Sequence, residues 1–436
     1  MQRKIAAALL ATTFATVPAL AGDGAEQDSR MAELEARLEA QEARILQLER
    51  QLLAATAAPV SPPRAQVEGQ AGSVRVAGSP SPSPMPAVAT AAPASPSAPA
   101  LSVSGDLRLR YEHNGSDNDA PDDGRGVIRA RIRAGYQVND WLQLGAQLAT
   151  GSQDDPNTTD VTLGNFNDDL EVSLDQAYAH LSRGGLDVWG GKFPQVFRRT
   201  DLVWDGDVSP QGLAARYRVP LAEGLSLGAT GIYFPIDRSV DGPDSTMTGG
   251  QVELAADGAA WSAAIAAAYY DYRLGSVASA DTGDFRGNLL RPDGRYLSDF
   301  DLVDVIAEVR VQPWDARWPI SLTADYVKNF GAATGADSGY SAALAIGRAE
   351  EAGDLRFGYA YSRAEADAVF AAFSHDNINI ATNYRLHALS ADYAYRDDLM
   401  FNATLYLYRP DEPLHAGAND PGDWLSRFRL NALVTF

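Results

Sequence analysis

From Leu101 onward the chain alternates apolar and polar positions with the period of a β-strand. Leu107, Leu109 and Tyr111 fall on one face of the first such run, and Arg108 and Arg110 fall on the other. In the next run Ile128, Ala130, Ile132 and Ala134 oppose Arg129, Arg131 and Arg133. The last run, WLSRFRLNALVTF at 424–436, puts Phe428, Leu430, Ala432, Val434 and Phe436 opposite Arg427 and Arg429. Sixteen runs are legible: 101–112, 126–138, 141–149, 170–182, 186–192, 213–219, 225–235, 250–256, 260–272, 301–312, 319–329, 340–349, 355–365, 380–396, 399–409 and 424–436.

The gaps between runs alternate in length. Asn139-Asp140, 183–185, 257–258, 351–354 and 397–398 are short, whereas 113–125, 150–169, 193–212, 273–300 and 410–423 are long. An even strand number with tight turns at one end and long loops at the other describes an all-β, transmembrane antiparallel barrel. The apolar face of each strand meets lipid, and closure of the last strand on the first satisfies the backbone. About sixteen strands predict a water-filled lumen rather than a packed interior. Tyr111, Trp141, Trp189, Tyr233, Trp261, Tyr408 and Trp424, near strand ends, are expected in the interfacial girdles.

Three segments precede the barrel, which is assigned to 101–436. Arg3 and Lys4, an apolar stretch and Ala19-Leu20-Ala21 predict a signal peptide over 1–21, whose removal takes the net charge from −21 to −23. Residues 29–56 carry heptads, with Met31, Leu38, Ile45 and Leu52 at a and Leu34, Gln41 and Leu48 at d. Arg37 and Arg44 at g match Glu42 and Glu49 at the following e positions, as in a parallel coiled coil that joins copies of the chain. Residues 57–100, rich in Pro, Ala and Ser, predict an extended linker.

Composition narrows the chemistry. The chain has no cysteine, so disulfides and thiolate metal sites are excluded. Its acidity argues against nucleic acid as a partner. The histidines His113, His180, His375, His387 and His415 form no close metal-ligand pair, and neither a nucleophile elbow nor a phosphate-binding loop is present. No enzyme, cofactor or metal is expected. The stretches 113–124, 151–169 and 410–422 contain twelve acidic residues and no Lys or Arg. They predict loops that bind divalent cations beside lipopolysaccharide, loops that collect cations at the mouth, or simple solubilising loops.

SGDLRLRYE at 104–112 and GKFPQVFRRTDLVWDGDVSPQGLAARY at 191–217 resemble the family of bacterial outer-membrane putative porins. The resemblance implies a passive diffusion channel in the outer membrane, with the coiled coil in the periplasm. The expected partners are outer-membrane lipid and lipopolysaccharide, further copies of the chain through barrel contacts, the coiled coil or both, with a trimer preferred, and, in the tether reading given below, peptidoglycan at the helix. Phe436 resembles the terminal signal read by the barrel-assembly machinery. Arg108, Arg110, Arg129, Arg131, Arg133, Arg427 and Arg429 are expected to form one basic wall in the lumen. By analogy with porins, the third outer loop folds inward, so that Arg198, Arg199, Asp201, Asp205 and Asp207 form a constriction with carboxylates opposite that wall. Asp304 and Glu308 add acid across the barrel. The competing expectation is a structural tether, in which the coiled coil grips the cell wall and the barrel is only an anchor.

Overall fold

A computed structural model of the protein describes residues 100–116, 122–152, 155–164, 169–240, 242–280, 283–412 and 422–436. The signal peptide, the coiled-coil helix with its seam from Met31 to Leu52, and almost all of the linker lie outside the described residues.

The strands are β1 (Ala100–Ser116), β2 (Asp123–Asn139), β3 (Leu142–Thr150), β4 (Val161–Thr162), β5 (Val172–Arg183), β6 (Leu186–Lys192), β7 (Gln211–Ala222), β8 (Leu225–Asp237) and β9 (Ser245–Gly258). They continue with β10 (Trp261–Leu274), β11 (Phe300–Val311), β12 (Ile320–Asn329), β13 (Ser338–Gly347), β14 (Leu355–Ala364), β15 (Tyr384–Arg396), β16 (Leu399–Pro410) and β17 (Leu425–Thr435). Apart from β4, each pairs antiparallel with its neighbours in sequence, and β1 pairs with β17 from Asp106 opposite Thr435 to Ser116 opposite Leu425. The result is a closed barrel of sixteen staves, one for each run in the sequence. The two-residue β4 pairs with β2 at Val127 and Ile128, inside the long segment that follows β3.

Alternation decides which side chains see which medium. Leu107, Leu109, Ile132, Leu344, Phe357 and Leu430 are exposed on the outside, as a lipid-facing band requires. Five of the seven aromatics expected in the girdles are exposed there: Tyr111, Trp141, Tyr233, Trp261 and Trp424. Trp189 and Tyr408 instead face inward. Trp189 stacks on His180 at 4.6 Å under the Arg216 guanidinium, and Tyr408 is fully buried. Nearness to a strand end does not fix the face; strand parity does.

Closure ends on an exchange of hydrogen bonds between Gly105 and Phe436, at 2.9 and 3.1 Å. The Phe436 ring lies across Gly105, where a β-carbon would stand 2.4 Å from it. A leucine at 105 is therefore expected to displace the terminal ring and lower the fraction of heat-modifiable folded barrel on a gel. An unchanged fraction would mean that the ring contributes nothing to closure.

The lumen departs from the expected open tube. Three segments between strands, 193–210, 275–299 and 365–383, contribute buried side chains to one apolar cluster inside the barrel at its long-loop end. Trp204 stacks on Phe373 at 5.5 Å, Phe373 on Phe234 at 5.3 Å, and Phe370 packs on Tyr272 at 5.2 Å. Residues 380–383, expected in a strand, belong to the third of these segments and are buried. Apolar loop residues leave water by packing on inward strand residues such as Tyr270, Phe300 and Tyr384, which drives the filling. At the short-turn end a polar cavity of about 360 Å³ remains.

Candidate functional site

The site grows from β17, β1 and β2, which closure makes neighbours. Arg108 stands directly opposite Arg129, and Glu112 opposite Arg429. All seven arginines of the expected wall point into the barrel, but as a neutralised lattice rather than a bare positive surface. Asp106 accepts from Arg129 at 3.0 Å and Arg131 at 3.0 Å and pairs with Arg133 at 3.0 Å. Glu112 pairs with Arg429 at 2.6 Å and Arg427 at 3.5 Å. Asp160 pairs with both Arg108 and Arg110. Burial raises the Asp160 carboxyl, yet Arg108 and Arg110 outweigh it and hold the carboxyl below its ordinary value.

The third-loop segment closes the lattice. Asp207 reaches Arg131 at 2.8 Å and Arg129 at 3.6 Å. Burial works against its charge, but the Arg129 and Arg131 guanidiniums prevail and keep it ionised far below the usual carboxylate range. Asp205, two residues away, is pushed strongly upward by burial and by Asp376, Asp201 and Asp207. Its backbone N–H donates to Phe373 O at 2.8 Å, tying the third-loop segment to 365–383. Arg199 stays within its own loop, on Asp201 at 3.2 Å and the Trp204 carbonyl at 3.0 Å. Asp201 also accepts from Asn377 at 3.1 Å. Arg198 crosses to the far wall, meeting Glu253 at 2.9 Å and Glu308 at 2.7 Å. Thr200 donates to Asp325, the inward neighbour of Asp304 on β12.

The expected opposition of charge across an open gap is thus replaced by direct contact. Asp207 touches the arginine side and Arg198 touches the acidic side, so the segment is anchored at both ends by salt bridges. Arg108, Arg129, Arg427 and Arg429 are buried beneath it and its neighbours; only Arg133, two-fifths exposed, opens widely to the polar cavity. That cavity is lined by Arg131, Arg133, Gln143, Gln147, Tyr178 and Asp207, among others. Seven arginines against the four carboxylates Asp106, Glu112, Asp160 and Asp207 leave the lattice with surplus positive charge.

Asp106 and Glu112 are members of this ion-paired lattice that the reading of the sequence missed, although they share the parity of Arg108 and Arg110. Asp160 was expected in a solvated outer loop, and nothing local to its sequence says that it turns inward. Among the described residues no group of three or more His, Asp or Glu is placed to hold a metal.

His375 gives the inward packing a pH dependence. It is 2% exposed, neither ring nitrogen has a hydrogen-bond partner, and burial with Arg286, Arg429 and Arg427 nearby depresses it to about 3. A depressed histidine contributes stability that is present above its ordinary value of 6.5 and lost as pH falls towards about 3. Acidification over that window is expected to loosen 365–383, read as faster proteolysis there. Asp205, raised in the folded state, acts in the opposite sense, so the test is the difference between wild type and His375→Leu. A leucine variant with the same acid response as wild type would remove the histidine from the account.

Comparison with known proteins bears on this architecture. OprB of Pseudomonas putida is 13% identical, with a TM-score of 0.50 over 77% of this chain and 94% of that one, and shows the barrel fold. An anion-selective porin from Comamonas acidovorans (13% identity, TM-score 0.47, 78% of this chain and 100% of that one) is also similar. So is a loop-deleted OmpT of Vibrio cholerae (14% identity, TM-score 0.46, 78% and 100%). No curated protein matches the sequence. Residues 112–285 match the family model described as putative porin, a span that contains 191–217 and only the last residue of 104–112: this chain is similar to the putative porins.

Proposed function

We propose that this protein is an outer-membrane porin that passes small hydrophilic solutes and ions passively, prefers anions, and is narrowed by its third-loop segment. The observation that carries the reading is the Arg129/Arg131–Asp207 contact inside a closed barrel. It sets a charged, ion-paired restriction directly above a polar cavity, which is an arrangement suited to selective diffusion. In this reading the chain is exported, its terminal Phe436 is read by the barrel-assembly machinery, and the heptads with their seam at Met31, Leu34, Leu38, Gln41, Ile45, Leu48 and Leu52 join copies of the chain, in a trimer by preference. The test is planar-bilayer recording of the purified full chain under a salt gradient. Stepwise currents with a reversal potential of anion-selective sign are the expected result.

A second reading has its own support. The dry aromatic cluster around Trp204 and Phe373 fills the long-loop end of the lumen, as befits a membrane anchor for a periplasmic tether that grips peptidoglycan. A tether predicts no current in the same bilayers.

A further inference from the structure

A second charged feature lies on the outside of the barrel, where alternation calls for apolar side chains. Arg363 on β14, Arg385 on β15 and Arg409 on β16 are consecutive cross-strand partners, and all three have outward parity. Like charges placed directly opposite one another destabilise a sheet, so such a row needs compensation. Part of it is internal. Asp411, its side chain almost fully buried, accepts from Arg363 at 2.9 and 2.7 Å and from Arg385 at 2.5 Å. Arg363 also reaches Glu365 at 3.1 Å. Arg409 has no such partner among the described residues: its guanidinium lies over the Trp424 ring at 5.2 Å, and its buried Nε makes no hydrogen bond.

The rows beneath it have the chemistry of a membrane interface read from headgroup to tail. One step towards mid-barrel lie Tyr361 and His387, with ring centroids 5.0 Å apart, and His387 packs on Trp424 at 5.6 Å. One step further lie Tyr359, Leu389, Leu405 and Phe428, in register across four strands. Arginines at headgroup depth, aromatics below them and aliphatics below those match a phosphorylated amphiphile standing against the wall.

We propose that Arg385 and Arg409, with Arg363 beside them, bind a phosphate of a lipid A-type glycolipid whose acyl chains lie on the Tyr359–Leu389–Leu405 surface. The choice of lipid rests on the porin reading, which places the long-loop end in the outer leaflet. A phosphomonoester offers three acceptor oxygens and more than one charge, and so fits two planar guanidinium forks better than a phosphodiester does.

The experiment uses the full chain in detergent, with binding of bisphosphorylated lipid A, dephosphorylated lipid A and phosphatidylglycerol measured by native mass spectrometry. Arg409→Gln is the informative variant because it leaves Asp411 both of its partners. Wild type is expected to prefer bisphosphorylated lipid A over the other two. Arg409→Gln should weaken that binding roughly tenfold, in keeping with loss of a charged hydrogen-bonding group, and Arg409→Lys should recover part of it. Equal binding of all three lipids, or unaltered lipid A binding by Arg409→Gln, overturns the proposal. Conductance of the same preparation separates the two claims: a conducting wild type that ignores lipid A phosphates refutes this site alone, and a silent one that binds them refutes only the channel.

Discussion

Deleting residues 197–208 is expected to raise single-channel conductance severalfold. The segment supplies Phe197, Leu202, Val203, Trp204 and Val208 to the apolar cluster and spans the lumen from Asp207 on Arg131 to Arg198 on Glu308. Its loss removes Trp204, one of the two rings stacked on Phe373, and the Asp205 N–H bond that holds 365–383, so that a second obstruction loosens with the first. The strand ladder that closes the barrel does not involve the segment, and the heat-modifiable band should survive the deletion. Unchanged current from a folded deletion variant would dismiss the constriction.

Replacing Arg108, Arg131 and Arg429 together with alanine should move the reversal potential towards cations. Each removal takes one partner from a carboxylate: Asp160 keeps only Arg110, Asp207 keeps only Arg129, Asp106 keeps Arg129 and Arg133, and Glu112 keeps Arg125 and Arg427. The surplus of positive charge in the lattice disappears. Every carboxylate keeps a partner, so each removal costs less than the about 3–5 kcal/mol of a buried charge left alone, but the triple variant is still expected to be less stable. Arg133→Ala separates the effects. That arginine is two-fifths exposed at the cavity and shares Asp106 with two others, so its removal should shift selectivity in the same direction with little loss of stability. A cation shift in neither variant would mean that the lattice does not line the route.

Much of the fold was legible because a barrel strand repeats every two residues and its ends are punctuated by turns. Leu107 beside Arg108, or Leu430 beside Arg429, declares its side without any tertiary information. The same parity assigns Asp106 and Glu112 to the arginine face, and attention to charge of one sign hid them. The packed half of the lumen also left a trace. Phe193, Val196, Phe197, Leu202, Val203 and Trp204, or the run from Ala368 to Phe373, are too apolar for loops that stay in water. What no local pattern carries is a destination. Asp160 and Asp411 come from equally acidic loops, yet one turns into the lumen to meet Arg108 and the other turns to the outer surface beneath Arg363 and Arg385. Those choices are made by partners far away in sequence.

In the proposed channel, ions pass through the polar cavity beneath the Arg131–Asp207 pair. The natural chain has no cysteine, so a single Gln143→Cys change places one reactive thiol on the cavity wall. Treating a conducting channel of that variant with a charged, water-soluble thiol reagent should change the current in one irreversible step, while wild type stays unaffected. A current indifferent to the reagent, in a channel whose cysteine is shown to be labelled, would contradict the account.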